Sequence, residues 1–406
     1  MNDRALEDVR VLEVAIYAFG PAAGAVLSDW GADVIKVEHP DHGDPVRGLV
    51  AYGVAPGDGG VSYLWEVLNR GKRSVGIDIN HAEGREVLLA LCEQADVFLT
   101  NFLAPARRRL GIDVSDVMGR NPRIIYARGT GHGPAGPDAD KGGYDGVSYW
   151  ARSGASIAAM PRGANYPIGL PGPAYGDIQS GVHLAGGIAA ALYRRERTGR
   201  GAVVDVSLLS SGLWAMQPAI AGCYASGQQR LAPHDRRQPA NPLWNVYRTR
   251  DDQFITLSML DVDRYLPEFC AVVGRLELLD DERFADNAAR SANMNACVAI
   301  VDEIFGSRSL AEWMEILDRQ SGPWSATTTP GAVPEDTQAI ENGYLQWVKY
   351  DNGASLPLIH APAQIDEAAT TLASAPLHAQ DTDTVLSAAG LSMDEIIDLK
   401  IRGAIS

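Results

Sequence analysis

The chain has 406 residues, a hydrophobic share of 46% and 42 glycines. Its 35 basic and 51 acidic residues give a formal net charge of −16, which disfavours nonspecific binding to nucleic acid or to an anionic membrane surface. The apolar share is that of a folded protein and excludes a disordered chain, and the length predicts more than one domain.

The first forty residues alternate between strand and helix patterns. Val9–Ala15 and Ala32–Glu38 are short, apolar, β-branched runs that are typical of buried parallel strands. Pro21 and Gly31 bound the Ala-rich segment between them, as expected at the start and end of a helix. This order of strand, helix and strand predicts a βαβ unit.

The alternation continues along the chain. Further strands are predicted at Lys72–Ile79, Asp96–Phe102, Arg123–Arg128 and Gly201–Leu209, and further helices at Ala82–Ala95 and Asp177–Arg195. The pattern predicts an α/β fold in which the large domain is doubly wound and Rossmann-like.

The composition and residue pattern of the sequence change after about residue 221. A polar, Pro-rich stretch over 225–242 precedes an alternating segment, Asn245–Met259, which fits a hairpin and is followed by several helical patterns. We therefore predict a smaller α+β domain over 227–320. The large domain is then built from both chain ends, 1–220 and 325–406.

The cysteines and the chain start bear on location. The four cysteines lie far apart and form no C-x-x-C pair, so they are interpreted as reduced thiols, not as a zinc site or disulfides. The first fifteen residues lack a basic segment followed by an apolar run. We expect a cytoplasmic protein that has no metal site and associates with neither membrane nor nucleic acid.

The first βαβ unit raises the possibility of a nicotinamide dinucleotide site. Glu38 ends the second predicted strand, where such a site needs an acid. The preceding turn offers only Gly20 and Gly24, and the bulky Tyr17 and Phe19 occupy the approach. An NAD-dependent oxidoreductase stays an alternative, although the turn disfavours it.

Two basic clusters suit a phosphate-bearing ligand. Lys72 and Arg73 belong to the stretch NRGKRS next to a predicted strand, and Arg107–Arg109 follow another strand. In an acidic protein, arginines and lysines at strand ends favour binding of an anionic ligand. A solvated helix face is the alternative, mainly for the three arginines.

Asp177 follows Gly176 at the start of a predicted helix. An aspartate in this place commonly caps the helix by accepting backbone N–H bonds. The helix dipole also keeps such a carboxylate ionised, and an ionised carboxylate can attack an acyl centre. The residues alone leave both interpretations open.

Several stretches, in order and spacing, resemble the class III CoA-transferase family, which includes formyl-CoA transferase, carnitine CoA-transferase and α-methylacyl-CoA racemase. The resemblance covers nearly the whole chain and rests on the stretches GPAAGAVLSDWGADVIKVEHPDHGDPVRG, LNRGKRSVGIDI, ADVFLTNFLAPARRRLGI, NPRIIYARGTGHGPAGP, GGYD and TGRGAVVDVSLL. It implies a homodimer of interlocked rings that exchanges CoA between an acyl-CoA and a carboxylic acid.

The resemblance also implies the site. Asp177 matches the family's nucleophile, which forms acyl and CoA adducts, and a CoA thioester is the substrate, with no permanently bound cofactor. By position or by charge, the expected CoA contacts are Tyr17, Ala18, His39, Lys72, Arg73, Asn101, Arg109 and Tyr144.

Three features bear on the branch of the family. Tyr144 stands where the racemases have a histidine, and a phenol is a poor base at neutral pH, so a transferase is favoured over the alternative, a racemase or another CoA-ester isomerase. Ala18 replaces the glutamine of formyl-CoA transferase, and that enzyme's run of glycines is not found, which disfavours a small oxalate-like acid. A noncatalytic CoA-ester-binding protein is a third alternative, which the intact Asp177 disfavours.

Overall fold

The computed structural model describes residues 4–49, 60–233, 235–367 and 370–406. The chain divides into two compact units. The larger unit comprises residues 1–157, 169–227 and 337–406, and the smaller unit comprises residues 158–168 and 228–336.

The larger unit alternates strands and helices. Its strands are β1 (Arg10–Val14), β2 (Asp33–Glu38), β3 (Arg73–Gly76), β4 (Val97–Thr100), β5 (Ile125–Thr130) and β6 (Ala202–Ser207). Its helices are α1 (Phe19–Asp29), α2 (Tyr63–Asn69), α3 (Ala82–Glu93), α4 (Ala104–Leu110), α5 (Val114–Arg120), α6 (Ala155–Ala158), α7 (Tyr175–Thr198), α8 (Leu208–Ala215) and α9 (Gln217–Ser226). A short π-helical turn, Gly146–Ala151, precedes α6.

The smaller unit is built on a three-stranded antiparallel sheet. It contains β7 (Trp244–Arg248), β8 (Phe254–Ser258), α10 (Val262–Val273), α11 (Asn287–Ala292), α12 (Met294–Gly306), α13 (Leu310–Leu317) and β9 (Trp324–Ala326). The predicted hairpin is the β7–β8 pair. Because β9 pairs with β8, residues 325–336 group with this unit, whereas the predicted boundary lay at 325.

The chain then returns to the larger unit. The return carries α14 (Thr337–Glu341), the antiparallel pair β10 (Leu345–Lys349) and β11 (Ser355–Ile359), α15 (Thr382–Ala388) and α16 (Met393–Ile401). Ile405 bridges to Ile77, just beyond the end of β3, so the last residues lie against the edge strand of the main sheet.

The six-stranded sheet has the order β3-β2-β1-β4-β5-β6, and all of its pairs are parallel. The predicted α/β fold with a parallel sheet is therefore confirmed. The order reverses direction between β1 and β4, and in such sheets ligands bind outside the carboxyl ends of the strands at that point.

Alternate strand residues face two apolar cores. Leu12 and Phe98 belong to the core that includes α3, α5 and the last two helices, whereas Val11 and Val97 belong to the core that includes α1 and α7. Both faces of the sheet are covered by helices, which is why its strands are apolar almost throughout.

Small residues let α7 pack directly on α1. A Cβ atom at Gly181 would lie 2.7 Å from Ala22 Cβ, which is closer than such atoms approach in proteins, and 3.0 Å from Ala23 N. The glycine at this position therefore sets the distance between the two helices, and with it the position of the first turn of α7. Within the described ranges, none of the helices combines the length and apolarity needed to cross a membrane.

Candidate active site

A cavity of about 320 Å³ lies at the carboxyl ends of the central strands of the larger unit. Its lining comprises Ile16–Phe19 after β1, Asn101–Leu103 after β4, Gly129–Gly131 around the end of β5, Gly142–Tyr144, and also Ala106, Asp177 and Leu208. The cavity is therefore at the point where the strand order reverses, the position at which open parallel sheets bind ligands.

The turn after β1 is held in a strained shape. Tyr17 has a φ of 62°, a left-handed conformation that is uncommon for a residue with a side chain. Its N–H donates to Asp44 Oδ1 at 3.2 Å. Asn101 Oδ1 accepts the N–H of Ile16 at 3.0 Å, and Asn101 Nδ2 donates to the carbonyl of Ile16 at 2.6 Å. These bonds join the ends of β1 and β4 at the cavity wall.

Asp177 is the third residue of α7 and does not cap it. The N-cap is Ala174, which has a φ of 54° and makes no side-chain capping bond. The interpretation of Asp177 as an ordinary N-cap is therefore wrong, because the helix begins before it. Its side chain lines the cavity instead.

One apolar cluster connects the start of α7 with the turn after β1. Trp65 and Leu68 of α2 are buried at its centre, and Tyr17, Ala174 and Ile178 pack against it. The two left-handed residues, Tyr17 and Ala174, thus share packing partners. Strained backbone of this kind persists only where the surrounding structure holds it, and it is common at functional sites.

The surroundings of Asp177 disfavour the ionised form of its carboxyl group. Burial, and next the nearby Asp145, raise the pKa of Asp177 to about 7. Loss of solvent and a like charge thus oppose the ionisation that the helix dipole favours. A carboxylate of raised basicity that lines a cavity can accept a proton or attack an electrophilic carbon.

Two tyrosines form a pair beside Asp177. The rings of Tyr17 and Tyr144 meet edge to face, with centroids 5.7 Å apart. A hydrogen bond with Tyr144 is the main cause that raises the pKa of Tyr17 above its usual range. Tyr144 is 59% exposed, so the pair reaches from the cavity to solvent. Neutral phenols of this kind can donate hydrogen bonds to an oxygen that gains negative charge.

A second cavity of about 230 Å³ adjoins the first along the same edge of the sheet. The two cavities share the lining residues Ile16, Phe102 and Ala106. The polar lining of the second cavity includes His39, Asn80 and Arg109. Tyr17, Ala18, Asn101, Tyr144 and Asp177 thus lie together at the first cavity, and His39 and Arg109 at the second.

Lys72 and Arg73 line neither of these cavities. Lys72 is buried, and its Nζ lies 2.7 Å from Glu13 Oε2 and 3.0 Å from Asn69 Oδ1. Arg73 Nε donates to Asp33 Oδ1 at 2.9 Å, at the amino ends of β3 and β2. The suggestion that both are phosphate neighbours does not fit these positions. Lys72 is paired with Glu13 inside the fold, and Arg73 lies at the amino ends of the strands, whereas the cavities lie at their carboxyl ends.

The three consecutive arginines of α4 have different roles. Arg107 is buried and bonds to Asp113 and to the carbonyl of Phe102, so it supports the loop after β4. Arg108 and Arg109 are exposed, and of these two Arg109 belongs to the lining of the second cavity.

Glu38 is not free to bind a ribose. It is buried and accepts from Arg47 Nε and Nη2 at 2.8 Å each and from Ser74 Oγ at 2.6 Å. Burial disfavours its charge, but these partners prevail and lower the pKa of Glu38 to about 2. The acid that a dinucleotide site would need is engaged in an internal ion pair.

Two residues of this region were not singled out from the sequence. Asp44 anchors the turn at Tyr17, and Asp145 accepts the N–H of Gly176, which directly precedes Asp177. The signal was present, since Asp44 belongs to the stretch GDPVRG and Asp145 to GGYDG, both within segments that carry the family resemblance. Among the described residues, no group of three or more His, Cys, Asp or Glu side chains could hold a metal ion.

Comparisons with known proteins agree on one family. The model of CoA-transferase family III matches residues 6–382. The chain is 30% identical to the (R)-2-hydroxy-4-methylpentanoate CoA-transferase of Clostridioides difficile, over 97% of this chain and 98% of that protein. It is also 30% identical to the cinnamoyl-CoA:phenyllactate CoA-transferase of Clostridium sporogenes, over 98% and 97% of the two chains. A CAIB/BAIF family protein from Brucella suis has a similar structure, with a TM-score of 0.82, 26% identity and coverage of 95% and 99%.

Proposed function

This chain belongs to CoA-transferase family III and is an enzyme that transfers CoA, and on that premise we propose that it carries CoA from an acyl-CoA to a free carboxylic acid through covalent adducts on Asp177. The observation that carries the proposal is the position of Asp177. It is a half-buried carboxylate of raised basicity that lines the cavity at the reversal point of the sheet.

The first half of the reaction loads CoA onto the enzyme. An oxygen of ionised Asp177 attacks the thioester carbon of the donor, the carbon–sulfur bond breaks, and a mixed anhydride and CoA thiolate result. The thiolate then attacks the aspartyl carbonyl of the anhydride and expels the donor acid as its carboxylate. The product of this half is an aspartyl-CoA thioester.

The second half runs the same steps in reverse order with a new acid. The acceptor carboxylate attacks the aspartyl-CoA carbonyl, and CoA leaves as thiolate. The thiolate then attacks the acceptor carbonyl of the new anhydride and returns Asp177 to its carboxylate form. The Tyr144 hydroxyl and backbone N–H groups near Gly131 and Gly143 are suited to hold the oxyanions that develop.

The two adjoining cavities support a specific orientation of CoA. We assign the nucleotide to the second cavity, where Arg109 and His39 supply donors for phosphate oxygens. The pantetheine arm then passes the shared residues Ile16 and Phe102 and brings the thioester toward Asp177.

The lining of the first cavity favours acids with an apolar body. Phe19, Phe102, Leu103 and Leu208 contribute apolar surface, and the described residues that line this cavity include no lysine or arginine. A second carboxylate on the substrate would therefore have no cation there to offset its desolvation. The two relatives reported above are named for acids with an isobutyl or a phenyl group, which agrees with this proposal.

Trapping of the adduct tests the proposal. The enzyme is incubated with an acyl-CoA and hydroxylamine, and the modified peptide is located by mass spectrometry. We expect the hydroxamate on Asp177, and we expect Asp177→Asn to lose transfer by orders of magnitude. Asp394→Asn is the matched control, because Asp394 is an exposed aspartate in the first turn of α16. A hydroxamate on another residue, or full activity of Asp177→Asn, would contradict the proposal.

A panel of acceptor acids defines the substrate. Labelled 2-hydroxy-4-methylpentanoate, phenyllactate, oxalate and glutarate are offered with a common acyl-CoA donor. We expect transfer to the first two and little to the dicarboxylates. Preference for oxalate or glutarate would overturn the assignment of an apolar acid while leaving CoA transfer intact.

An isomerase of CoA esters is a second candidate, which the raised pKa of Asp177 favours because an acid–base residue needs a pKa near 7. The pKa of the neighbouring Tyr17 is raised above the usual value for a tyrosine, which already lies far above neutrality, so this phenol is a poor second base. Solvent deuterium incorporation at the α-carbon of a 2-methylacyl-CoA, without any acceptor, would identify this activity.

A further inference from the structure

Asp145 connects the cavity wall to the first turn of α7. It is buried and precedes the π-helical turn Gly146–Ala151. Asp145 Oδ1 accepts the N–H of Gly146 at 2.7 Å, and Asp145 Oδ2 accepts the N–H of Gly176 at 3.1 Å. Gly176 directly precedes Asp177, so this carboxylate occupies the place of the side-chain cap that Ala174 cannot provide.

The contact between these two segments is close. A Cβ atom at Gly176 would lie 2.8 Å from Asp145 Cβ and 2.7 Å from Tyr149 Cγ, so only a glycine fits between α7 and the π-helical turn. The carboxylate is thus held against the helix by two backbone donors and by packing.

Tyrosines lie on the wall of the cavity that Asp177 lines and on the two segments that Asp145 connects. Tyr17 and Tyr144 line the same cavity, Tyr149 lies on the π-helical turn, and Tyr175 begins α7. No lysine, arginine or histidine belongs to the described lining of this cavity. Burial is the larger cause and Asp145 the second cause that raise the pKa of Asp177 to about 7.

We propose that Asp145 is a positioning residue whose negative charge favours the covalent adduct on Asp177. This inference rests on the proposed function. Ionised Asp177 lies beside a fixed like charge, and formation of either adduct removes the charge of Asp177. In the anhydride step that charge passes to the CoA thiolate, and in the thioester step it leaves with the donor carboxylate. The repulsion between the two aspartates is therefore relieved once Asp177 is acylated.

The first measurement is independent of catalysis. The carboxyl group of Asp177 is titrated by ¹³C NMR in enzyme labelled at the aspartate side chains, and Asp177→Asn identifies its resonance. In Asp145→Asn, which keeps an oxygen acceptor but removes the charge, we expect the pKa of Asp177 to fall by about one unit. An unchanged pKa overturns the inference, even if transfer through Asp177 stands.

The second measurement concerns the adduct. Intact-protein mass spectrometry gives the fraction of enzyme that carries CoA on Asp177 at equilibrium with an acyl-CoA. Well above pH 7, where Asp177 is ionised in both proteins, we expect this adduct equilibrium to fall about tenfold in Asp145→Asn, in proportion to a shift of one pKa unit. In the pH profile of the transfer rate, the decline on the acidic side (the acid limb) should also move to lower pH. If the pKa falls while the adduct fraction stays constant, the inference is overturned.

A charge-conserving variant separates charge from packing. Asp145→Glu keeps the charge but displaces the anchor, so we expect slower transfer with the acid limb at its original pH. If the transfer rates of Asp145→Asn and Asp145→Glu decline at the same acidic pH, Asp145 has a structural role only and the inference is overturned. If wild-type enzyme forms no adduct on Asp177 at all, the proposed function fails, whereas the NMR titration still tests the interaction of the two charges.

Discussion

Asp177 shows how surroundings change a common residue. It and Asp394 both lie in the first turn of a helix, but Asp394 is exposed whereas Asp177 is half-buried beside a second carboxylate. An exposed aspartate in the first turn favours its helix through the dipole. The same position costs free energy when the charge is buried near Asp145, and such costs are common at functional sites.

The first prediction concerns stability and pH. The pKa of Asp177 is raised in the folded state, so its contribution to stability is present below the unfolded pKa near 3.8 and is lost as the pH rises through about 7. Asp177→Asn resembles the protonated form at every pH. We expect the variant to be more stable than wild type by about 1–3 kcal/mol at pH 8, with the difference vanishing toward pH 4. Thermal unfolding measured across this range checks it.

The control is Asp394→Asn, which should show no such pH-dependent gain because Asp394 is exposed. A stability difference for Asp177→Asn that stays constant from pH 4 to pH 8 would contradict the raised pKa.

The second prediction concerns Arg109. We expect Arg109→Ala to weaken CoA binding by about 1–3 kcal/mol, because a charge-assisted bond to phosphate is lost. Arg108→Ala is the control, since Arg108 is an exposed neighbour outside the described lining of both cavities. Calorimetric titration with CoA measures both variants, and a pantetheine thioester, which lacks the nucleotide, should bind all three proteins alike. Equal loss of CoA affinity in the two variants would argue against this position for the nucleotide.

At the scale of elements, the site depends on how closely helices and strand ends approach one another. Asn101 ties the end of β4 to the turn after β1, and the packing of α7 on α1 sets the depth of Asp177 in the cavity. The contact between α1 and α7 is made by small residues, so it tolerates no additional atoms.

The third prediction compares two glycines of α7. Gly181→Ala places a Cβ atom 2.7 Å from Ala22 Cβ, so we expect a loss of about 1–3 kcal/mol in stability and a lower transfer rate as α7 moves from α1. Gly186→Ala, at a position where nothing lies within 4 Å, should instead stabilise the protein by about 0.5–1 kcal/mol.

Thermal unfolding and transfer rates distinguish the two variants. Equal stability of Gly181→Ala and Gly186→Ala would mean that the contact between α1 and α7 is not the constraint described here.

At the scale of the whole molecule, the larger unit leaves apolar surface exposed in the single chain. No residue of α9 is buried, and Tyr224 on this helix is 92% exposed. Trp214, at the end of α8, is 69% exposed. Large apolar side chains that are exposed in a single chain are candidates for burial in an interface.

The fourth prediction concerns assembly. From the family resemblance we expect a homodimer of interlocked rings, which cannot separate without opening a chain. Sedimentation velocity at nanomolar concentration should therefore find dimers alone, and Trp214 and Tyr224 should be protected from solvent in the dimer. A reversible equilibrium between monomer and dimer on dilution would contradict interlocking.

Local sequence patterns predicted an element correctly where its structure depends on residues close together in the chain. The strands β1, β2, β4 and β5 and the β7–β8 hairpin follow from apolar runs and alternation that need no distant partner. Asp177 was singled out by its place at a helix start and then by the resemblance, whereas Asn101 and Tyr144 came from the resemblance alone. The fold brings all three to one cavity. The prediction that Lys72 and Arg73 lie near a phosphate does not fit the structure, because charge along a sequence does not reveal which cations are already paired.

The sequence by itself determined the alternation of strands and helices, the α/β class and the family, since these depend on residue periodicity and on motifs in a fixed order. Only the tertiary structure decided the chemistry of the site. The pKa of Asp177 depends on burial and on the Asp145 carboxylate, which is bonded to Gly176 although the two residues are 31 positions apart in the chain. Lys72 is neutralised by Glu13, 59 residues away. Electrostatic interactions act through space and depend on the local exclusion of water, so no linear pattern records them.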